Sequence, residues 1–198
     1  MANIVTNTEN LSHGEWSPFD GMVVTPNAVA PPAFAGPHAT RADLLTDTGG
    51  AEASLYGTYR PISVGPFTTS LYLKDAGVTD YSFIGMQCTG GTGIFNGIWV
   101  DVTDGTVSGP AGSIVSSATQ SVGDGWFRIS FLVINVDDTH VRPFVYPAYS
   151  ATSGAAGNGT LTGAIYAWGS NITDTPILMP YVPDPFYSTS PLVLIKKA

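Results

Sequence analysis

Charged residues are scarce in this chain of 198 residues. Lysine and arginine number 7 against 15 aspartates and glutamates, so that charged residues are 11% of the sequence and the formal net charge is −8. Globular proteins average about 25% charged residues. A polyanion such as DNA would be repelled by this net charge, and the sequence has no basic stripe to overcome the repulsion. The composition therefore argues against a nucleic-acid partner.

Cysteine is nearly absent, and no apolar run is long. The single cysteine, Cys88, excludes an internal disulfide framework and a metal site built from several cysteines. Apolar runs such as Leu192–Ile195 are far too short to span a bilayer. The first residues show neither the basic nor the apolar region of a signal peptide. We therefore expect a chain that folds in a reducing cytoplasm and has no membrane partner.

The residues that are abundant favour strands and turns. With 23 glycines, 15 prolines and many serines and threonines, the sequence disfavours long helices. Short segments of alternating polarity recur, and Asp104-Gly105 predicts a hairpin turn. The pattern predicts an all-β fold, a two-sheet antiparallel β-sandwich of the jelly-roll type. Its predicted strands are Leu55–Tyr59, Phe67–Lys74, Tyr81–Gln87, Ile94–Val102, Trp126–Val136, His140–Tyr146 and Ala164–Trp168.

Two proline-rich stretches stand apart from these strands. Residues 26–37 are predicted to form an extended loop, and residues 174–198, with four prolines between 176 and 185, an extended C-terminal arm. The predicted organisation is thus a sandwich domain over residues 1–173, including an N-terminal lead-in, followed by the arm. The apolar end of the arm either adds as a strand to a neighbour's sheet or packs back on its own domain. The predicted partner-binding residues of the arm are Ile177, Leu178, Phe186, Leu192, Leu194 and Ile195.

Acidic and histidine residues do not form a recognisable metal motif. The densest cluster is Asp137-Asp138 with His140, and Asp101 and Asp104 form a second in a turn. Neither has the loop spacing of a known calcium motif, and the three isolated histidines do not suggest zinc. We therefore expect no cofactor and no metal site, with a structural calcium ion as the alternative.

The sequence also does not suggest catalysis. Glycan cleavage needs two carboxyl groups across the sugar bond, but there are only three glutamates, of which Glu9 and Glu15 lie in the N-terminal lead-in. No Gly-x-Ser-x-Gly elbow is present, and Cys88 has no evident histidine partner. We therefore expect no catalytic residues and a protein that is not an enzyme.

Aromatic residues offer a different chemistry. Aromatic rings bind sugars by stacking on the apolar faces of the sugar rings, although they also fill sandwich cores. Trp126 and Trp168 are expected to be structural. The candidate glycan-binding residues are Trp99, Tyr146 and Tyr149, which lie on a predicted strand or near loops.

Six stretches, in order along residues 3–183, resemble the motifs of one domain family. Gly123–Ser130 resembles its G-N-G-W-Y-R-C-S, and Gly163–Gly169 its G-x-I-Y-L-W-G. The remaining stretches are Asn3–Ser12 followed by Trp16, Phe67–Lys74, Val100–Val107 and Tyr181–Pro183. The family is the carbohydrate-binding-module-like, lectin-type jelly roll of tailed-bacteriophage virion proteins, which occurs in tail fibres, tailspikes and head decoration proteins.

The resemblance implies a bacteriophage virion structural protein, located in the virion after assembly in the host cytoplasm. A compact body with an arm favours a capsid decoration (cement) protein, a homo-oligomer that stabilises the head by binding the major capsid protein or other virion proteins. The alternatives are a glycan-binding module of the phage tail or fibre that attaches to the host surface, and an accessory domain of a tail depolymerase. At Ser170–Thr173 the chain lacks an acidic residue that is usual in the family.

Overall fold

Apolar residues alternate along the strands, and this alternation decides how the strands pack. In β11 (Trp126–Asn135), Ile129, Phe131 and Val133 are at most 2% exposed and point to one side, whereas Arg128 and Ser130 point to the other. A strand of this kind requires a second layer over its apolar side. In the computed structural model that layer is a second sheet. The described residues are 4, 9–35, 41–78, 81–93, 95–149 and 161–177.

Two antiparallel sheets pack face to face. Sheet A has the order β1-β4-β12-β7-β8-β9, with β5 also paired to β12, and sheet B has the order β10-β11-β6-β13-β3-β2. The strands of sheet A are β1 (Trp16–Phe19), β4 (Ser54–Gly57), β5 (Arg60–Pro61), β7 (Tyr81–Thr89), β8 (Phe95–Asp101), β9 (Val107–Ala111) and β12 (His140–Tyr146). The strands of sheet B are β2 (Met22–Val29), β3 (Ala42–Asp47), β6 (Gly65–Asp75), β10 (Ile114–Gly123), β11 and β13 (Gly163–Thr173).

The main core lies between the sheets. Sheet B contributes Leu71, Leu73, Ile129, Phe131 and Ile165, and sheet A contributes Ile84, Met86, Ile98, Val100 and Val145. The predicted two-sheet antiparallel sandwich is therefore confirmed. Within the described ranges the helical element is a 3-10 turn at Ala33–Ala35, and no helix there could cross a membrane.

Strand prediction succeeded where one face is strongly apolar. All seven predicted strands overlap observed ones, and Asp104-Gly105 forms the turn between β8 and β9. The loop predicted for residues 26–37 is wrong in its first part, because β2 continues to Val29. β2 is the edge strand of sheet B, where a proline is tolerated. Its register shifts between Thr25 and Val29, and Asn27 adopts a positive φ of 56° within that shift.

A buried carboxylate fastens the N-terminal lead-in to sheet B. Asp43 on β3 is 2% exposed, and its two oxygens accept the backbone N–H groups of Ser12 and Asn27, each at 2.9 Å. Burial raises the pKa of this carboxyl, and the backbone hydrogen bonds act in the opposite direction. Asp43 therefore joins three segments of the chain: the lead-in, the irregular part of β2, and β3.

The last described residues after β13 run beside sheet B. β13 ends at Thr173, and the carbonyl of Thr175 accepts a hydrogen bond from the Thr68 hydroxyl at 2.7 Å. Ile177 is 67% exposed. The other five predicted arm residues lie outside the described residues, so the arm and the domain boundary at residue 173 stay predictions.

The carboxylate at residue 43 yields a test of stability. Asp43→Ala should lower the free energy of unfolding by about 2 kcal/mol, because two part-buried backbone N–H groups lose the carboxylate that accepts their hydrogen bonds. Urea unfolding followed by fluorescence measures the change. The control is Asp75→Ala, which removes a carboxylate that accepts the Gly77 N–H at the surface and should change stability by about 0.5 kcal/mol or less. Equal effects of the two variants would contradict the role given to Asp43.

Candidate functional site

The outer side of sheet A is covered with aromatic rings. On β12, Val141 and Val145 point into the main core, so Arg142, Phe144 and Tyr146 point to the opposite, outer side. Residues of neighbouring strands and Tyr149, which follows β12, join them there, and we call this cluster the aromatic face. It consists of Tyr56, Phe83, Phe95, Trp99, Phe144, Tyr146 and Tyr149.

Two glycines allow these rings to lie across the sheet. Gly85 on β7 is the partner of Phe144 on β12 and of Gly97 on β8. A Cβ atom at Gly85 would lie 2.2 Å from Cζ of Phe144, and one at Gly97 would lie 2.5 Å from Cζ of Phe83. The rings thus occupy the space that side chains would fill. Any other residue at these two positions would displace them.

Ring stacking holds the aromatic face together. Phe95 and Phe144 stack with centroids 4.4 Å apart and an interplanar angle of 15°, and Phe83 stacks on Tyr149 at 5.1 Å and 26°. Trp99 packs on Phe83 at 4.8 Å with a tilt of 59°. Pairs of this kind contribute about 0.5–1.5 kcal/mol each beyond their buried area. The face is therefore a rigid second core on the outer side of sheet A.

The three predicted glycan-binding residues all belong to this face. Trp99 and Tyr146 both contact Tyr149, with centroids 6.0 and 5.5 Å apart. The structure thus brings them together, but Trp99 is 7%, Tyr146 2% and Tyr149 6% exposed. Burial raises the pKa of the Tyr146 hydroxyl, which pairs with the Tyr56 hydroxyl at 2.9 Å. The three rings are buried within the aromatic face and pack against its other rings. Their contact with a glycan stays a prediction.

More accessible groups lie at one end of the aromatic face. We call Tyr56, Tyr59, Gln87 and Arg142, all half-buried, the polar rim. The Arg142 guanidinium carbon is 4.0 Å from the Tyr56 ring centroid and 4.6 Å from that of Tyr59. Its Nε and Nη2 both donate to Oε1 of Gln87, at 2.9 and 2.6 Å. The rim combines partly exposed ring surface with a cation and an amide that hold each other in place.

Sequence reasoning missed Arg142 and Gln87. The alternation within His140–Tyr146 places Arg142 on the same side as Phe144 and Tyr146, and this signal was available. The pairing of Arg142 with Gln87 was not, since the two residues are 55 positions apart and meet only through the β12–β7 register.

Sheet B has its own outer aromatic cluster. Trp126 and Trp168 are 1% and 0% exposed and pack with Tyr72, in line with the structural role expected for them. Phe34 lies over Tyr72, with ring centroids 5.0 Å apart. Arg128 on this side donates to the Ser70 hydroxyl at 3.2 Å, and burial lowers its pKa. All these groups except Phe34 are buried, so this side offers less accessible ring surface.

The acidic cluster around residue 137 has a structural use. Asp137 accepts the backbone N–H and the hydroxyl of Thr92, and Asp138 accepts the N–H groups of Gly91 and Gly93. The hydrogen bonds from Thr92 lower the pKa of Asp137. These carboxylates fix the loop between β7 and β8. No group of three metal-ligating side chains occurs among the described residues, and the calcium alternative stays a prediction.

The three glutamates have different surroundings. Glu9 is 6% exposed, Glu15 forms an ion pair with Arg60 at 2.6 Å, and Glu52 is exposed. Cys88 lies on the core side of β7, where burial above all, and then the nearby Asp138, raise its pKa to about 12. Such a thiol is a poor nucleophile. The expectation that the protein is not an enzyme stays a prediction.

Comparison with known proteins identifies no family. No family model matches the chain, and no curated protein matches its sequence. Solved structures give weak likenesses. A domain of tailspike protein 4 from bacteriophage CBA120 matches at 12% identity over 86% of this chain and 21% of its own length, with a TM-score of 0.47. This chain thus spans about a fifth of that domain.

Two carbohydrate-binding modules are similar to the same degree. The xylan-binding CBM22-1 domain of Xyn10C from Paenibacillus barcinonensis matches at 10% identity over 86% of this chain and 94% of its own, with a TM-score of 0.47. TmCBM61, solved with β-1,4-galactotriose, matches at 11% identity over 88% and 100%, with a TM-score of 0.45. Likenesses at this level carry no argument about what this chain does.

The packing of rings over glycine can be tested directly. Gly85→Ala should lower the free energy of unfolding by about 3 kcal/mol, because the added methyl group collides with the Phe144 ring and with the Asn96 carbonyl. For a domain of this size the melting temperature should fall by about 6–12 °C. Gly14→Ala is the control, since a Cβ at Gly14 meets nothing within 4 Å. A Gly85→Ala variant that melts with the wild type would show that the rings do not fill this space.

The buried thiol gives a second test. At pH 8, Cys88 in the folded protein should react with an aromatic disulfide reagent at least about 1,000-fold more slowly than free cysteine, because the thiolate is the reactive form. In concentrated guanidinium chloride the same chain should release one thiol equivalent rapidly. Fast labelling of the folded protein would mean that Cys88 is accessible and available as a nucleophile.

Proposed function

We propose that this protein is a glycan-binding module whose contact surface is the polar rim together with the adjacent edge of the aromatic face. The observation that carries the proposal is the position of Tyr56, Tyr59, Gln87 and Arg142. They form a half-buried group of two rings, an amide and a cation on the solvent side of sheet A.

Sheet A has an unusual distribution of apolar residues. An antiparallel sheet that packs on one core has polar residues on its other side. Here β7, β8 and β12 carry aromatic rings on the outer side as well as aliphatic residues on the inner side. Exposed apolar surface that is rimmed by polar groups is typical of a binding site, and on this side such surface lies at the end with Phe19 and Tyr56, since the central rings are buried. The accessible end of the outer side of sheet A is therefore the candidate binding surface.

Carbohydrate fits the chemistry at this place. A sugar ring has an apolar face of C–H groups and a perimeter of hydroxyls. Tyrosine rings provide a flat apolar surface with a polar end, while the remaining N–H groups of Arg142 and the Gln87 amide N–H groups donate hydrogen bonds. The exposed Phe19, 6.4 Å from Tyr56 between ring centroids, lengthens this surface toward β1. One end of sheet A thus offers both kinds of contact that a sugar requires.

The biological setting of the proposal rests on the sequence resemblance. Within it, the module belongs to the tail or fibre of a bacteriophage and attaches to host-surface glycans. Capsid decoration depends instead on the C-terminal arm, of which Ile177 is the predicted contact residue that lies among the described ones. No contact of the described residues supports binding to a capsid, so capsid decoration becomes an outcome of the test.

The test is a glycan array probed with the labelled full-length chain, followed by calorimetry on the best ligand. Tyr59→Ala should raise Kd about 10-fold or more without a change in melting temperature, because Tyr59 lies in the link between β4 and β5. The control is Tyr166→Ala, which removes a half-buried tyrosine from the outer side of sheet B and should leave Kd unchanged.

Two results would overturn the proposal. One is the absence of saturable binding to any glycan. The other is glycan binding that Tyr59→Ala and Tyr166→Ala affect equally, since the rim would then not be the contact surface. Saturable binding to purified phage heads without glycan binding would support capsid decoration in its place.

A further inference from the structure

We infer that the glycans bound at the polar rim carry a carboxylate, and that Arg142 is the residue that binds it. This inference rests on the proposed function and names the class of ligand for the same site. Acidic sugars such as uronic acids and sialic acids carry the required group.

The first support is the unused hydrogen-bonding capacity of Arg142. A guanidinium has five N–H donors, and the bonds to Gln87 use one on Nε and one on Nη2. The three that remain have no acceptor among the described residues, and the side chain is only half-buried. These donors lie along the edge formed by Nη1 and Nη2. That edge matches the two oxygens of a carboxylate in a bidentate pair.

The second support is that Arg142 is oriented without being neutralised. Gln87 is an uncharged acceptor, and no carboxylate of the described residues lies within 4.0 Å of the Arg142 guanidinium. Arg60 on β5 shows the contrast, because it is paired with Glu15 at 2.6 Å. In a chain with only 7 lysines and arginines and 15 acids, a cation without an acidic partner on an outer surface keeps its charge for a ligand.

The third support is preorganisation. The rings of Tyr56 and Tyr59, 4.0 and 4.6 Å from the guanidinium carbon, hold Arg142 by cation–π contacts and displace water from it. Partial removal of water strengthens an ionic hydrogen bond with an incoming anion. A side chain that is already fixed also loses less conformational entropy when the ligand binds. The rim is thus built to receive an anion at one defined edge.

The experiment compares matched acidic and neutral ligands. Oligosaccharides that contain uronic or sialic acid are tested by calorimetry beside their carboxyl-reduced counterparts, with the full-length chain. The acidic members should bind about 10-fold tighter or more, and their advantage should shrink between low and high sodium chloride because salt screens the ion pair. The salt dependence needs no variant and therefore tests the inference even if a variant fails to fold.

Two variants with the same change in charge locate the effect. Arg142→Gln should abolish the preference for the acidic ligand, because the variant loses the ion pair with the carboxylate, whereas a neutral ligand loses only an uncharged hydrogen bond to Arg142. Arg60→Gln, which removes a paired cation from the same sheet, should keep the preference for acidic ligands. Arg142→Lys should recover only part of the preference, because an ammonium group lacks the planar fork.

The possible failures are distinguishable. Equal binding of acidic and neutral members overturns the carboxylate inference and leaves the proposed glycan-binding function standing. A preference that survives Arg142→Gln, or sulfated neutral sugars that bind as tightly as carboxylated ones, overturns the assignment of a carboxylate to Arg142. Absence of binding to either class overturns the proposed function itself.

Discussion

The three central strands of sheet A are apolar on both sides, and much of the rest of the molecule follows from this constraint. Their inner residues meet sheet B in the main core, while their outer residues must be buried in some other way. Gly85 and Gly97 allow the outer rings to bury each other, because the rings of Phe144 and Phe83 lie where side chains at these two positions would be. The aromatic face is then a thin core without a second sheet over it. Its interior is fully packed, and its edge meets solvent.

The edge of such a cluster is where binding chemistry can develop. At its centre the rings bury each other, as Phe83, Phe144 and Tyr146 do at 1–2% exposure. At its end Tyr56 and Tyr59 are only half-buried, and Arg142 packs against both rings. A guanidinium is suited to this place because it stacks on rings and still presents donors at its edge. The polar rim is in this sense a consequence of how the aromatic face ends.

Much of the fold could be predicted from the sequence, because alternation over eight or more residues is a strong local signal. β11 has such an alternation, and the turn between β8 and β9 was marked by the separate signal of Asp104-Gly105. β10 was missed because Ile114–Gly123 is exposed along almost its whole length and so shows no apolar period. β2 was missed because Pro26 reads as a break, whereas an edge strand with a register shift accommodates it. These two missed strands lie at edges of sheet B, whereas β3 (Ala42–Asp47), which was also missed, is largely buried and lies between β13 and β2.

The candidate site shows a different limit of sequence reasoning. Residue type led to Trp99, Tyr146 and Tyr149, which do share one cluster, but type does not reveal how deeply a ring is buried. Depth depends on the register of β7, β8 and β12, which also joins Arg142 to a partner 55 residues away. A buried ring at the centre of the aromatic face makes the face rigid, whereas a half-buried ring at its end can contact a ligand. If the proposed glycan binds there, its affinity should depend on Tyr56, Tyr59 and Arg142. The buried rings of the aromatic face should act indirectly, by keeping the polar rim in position.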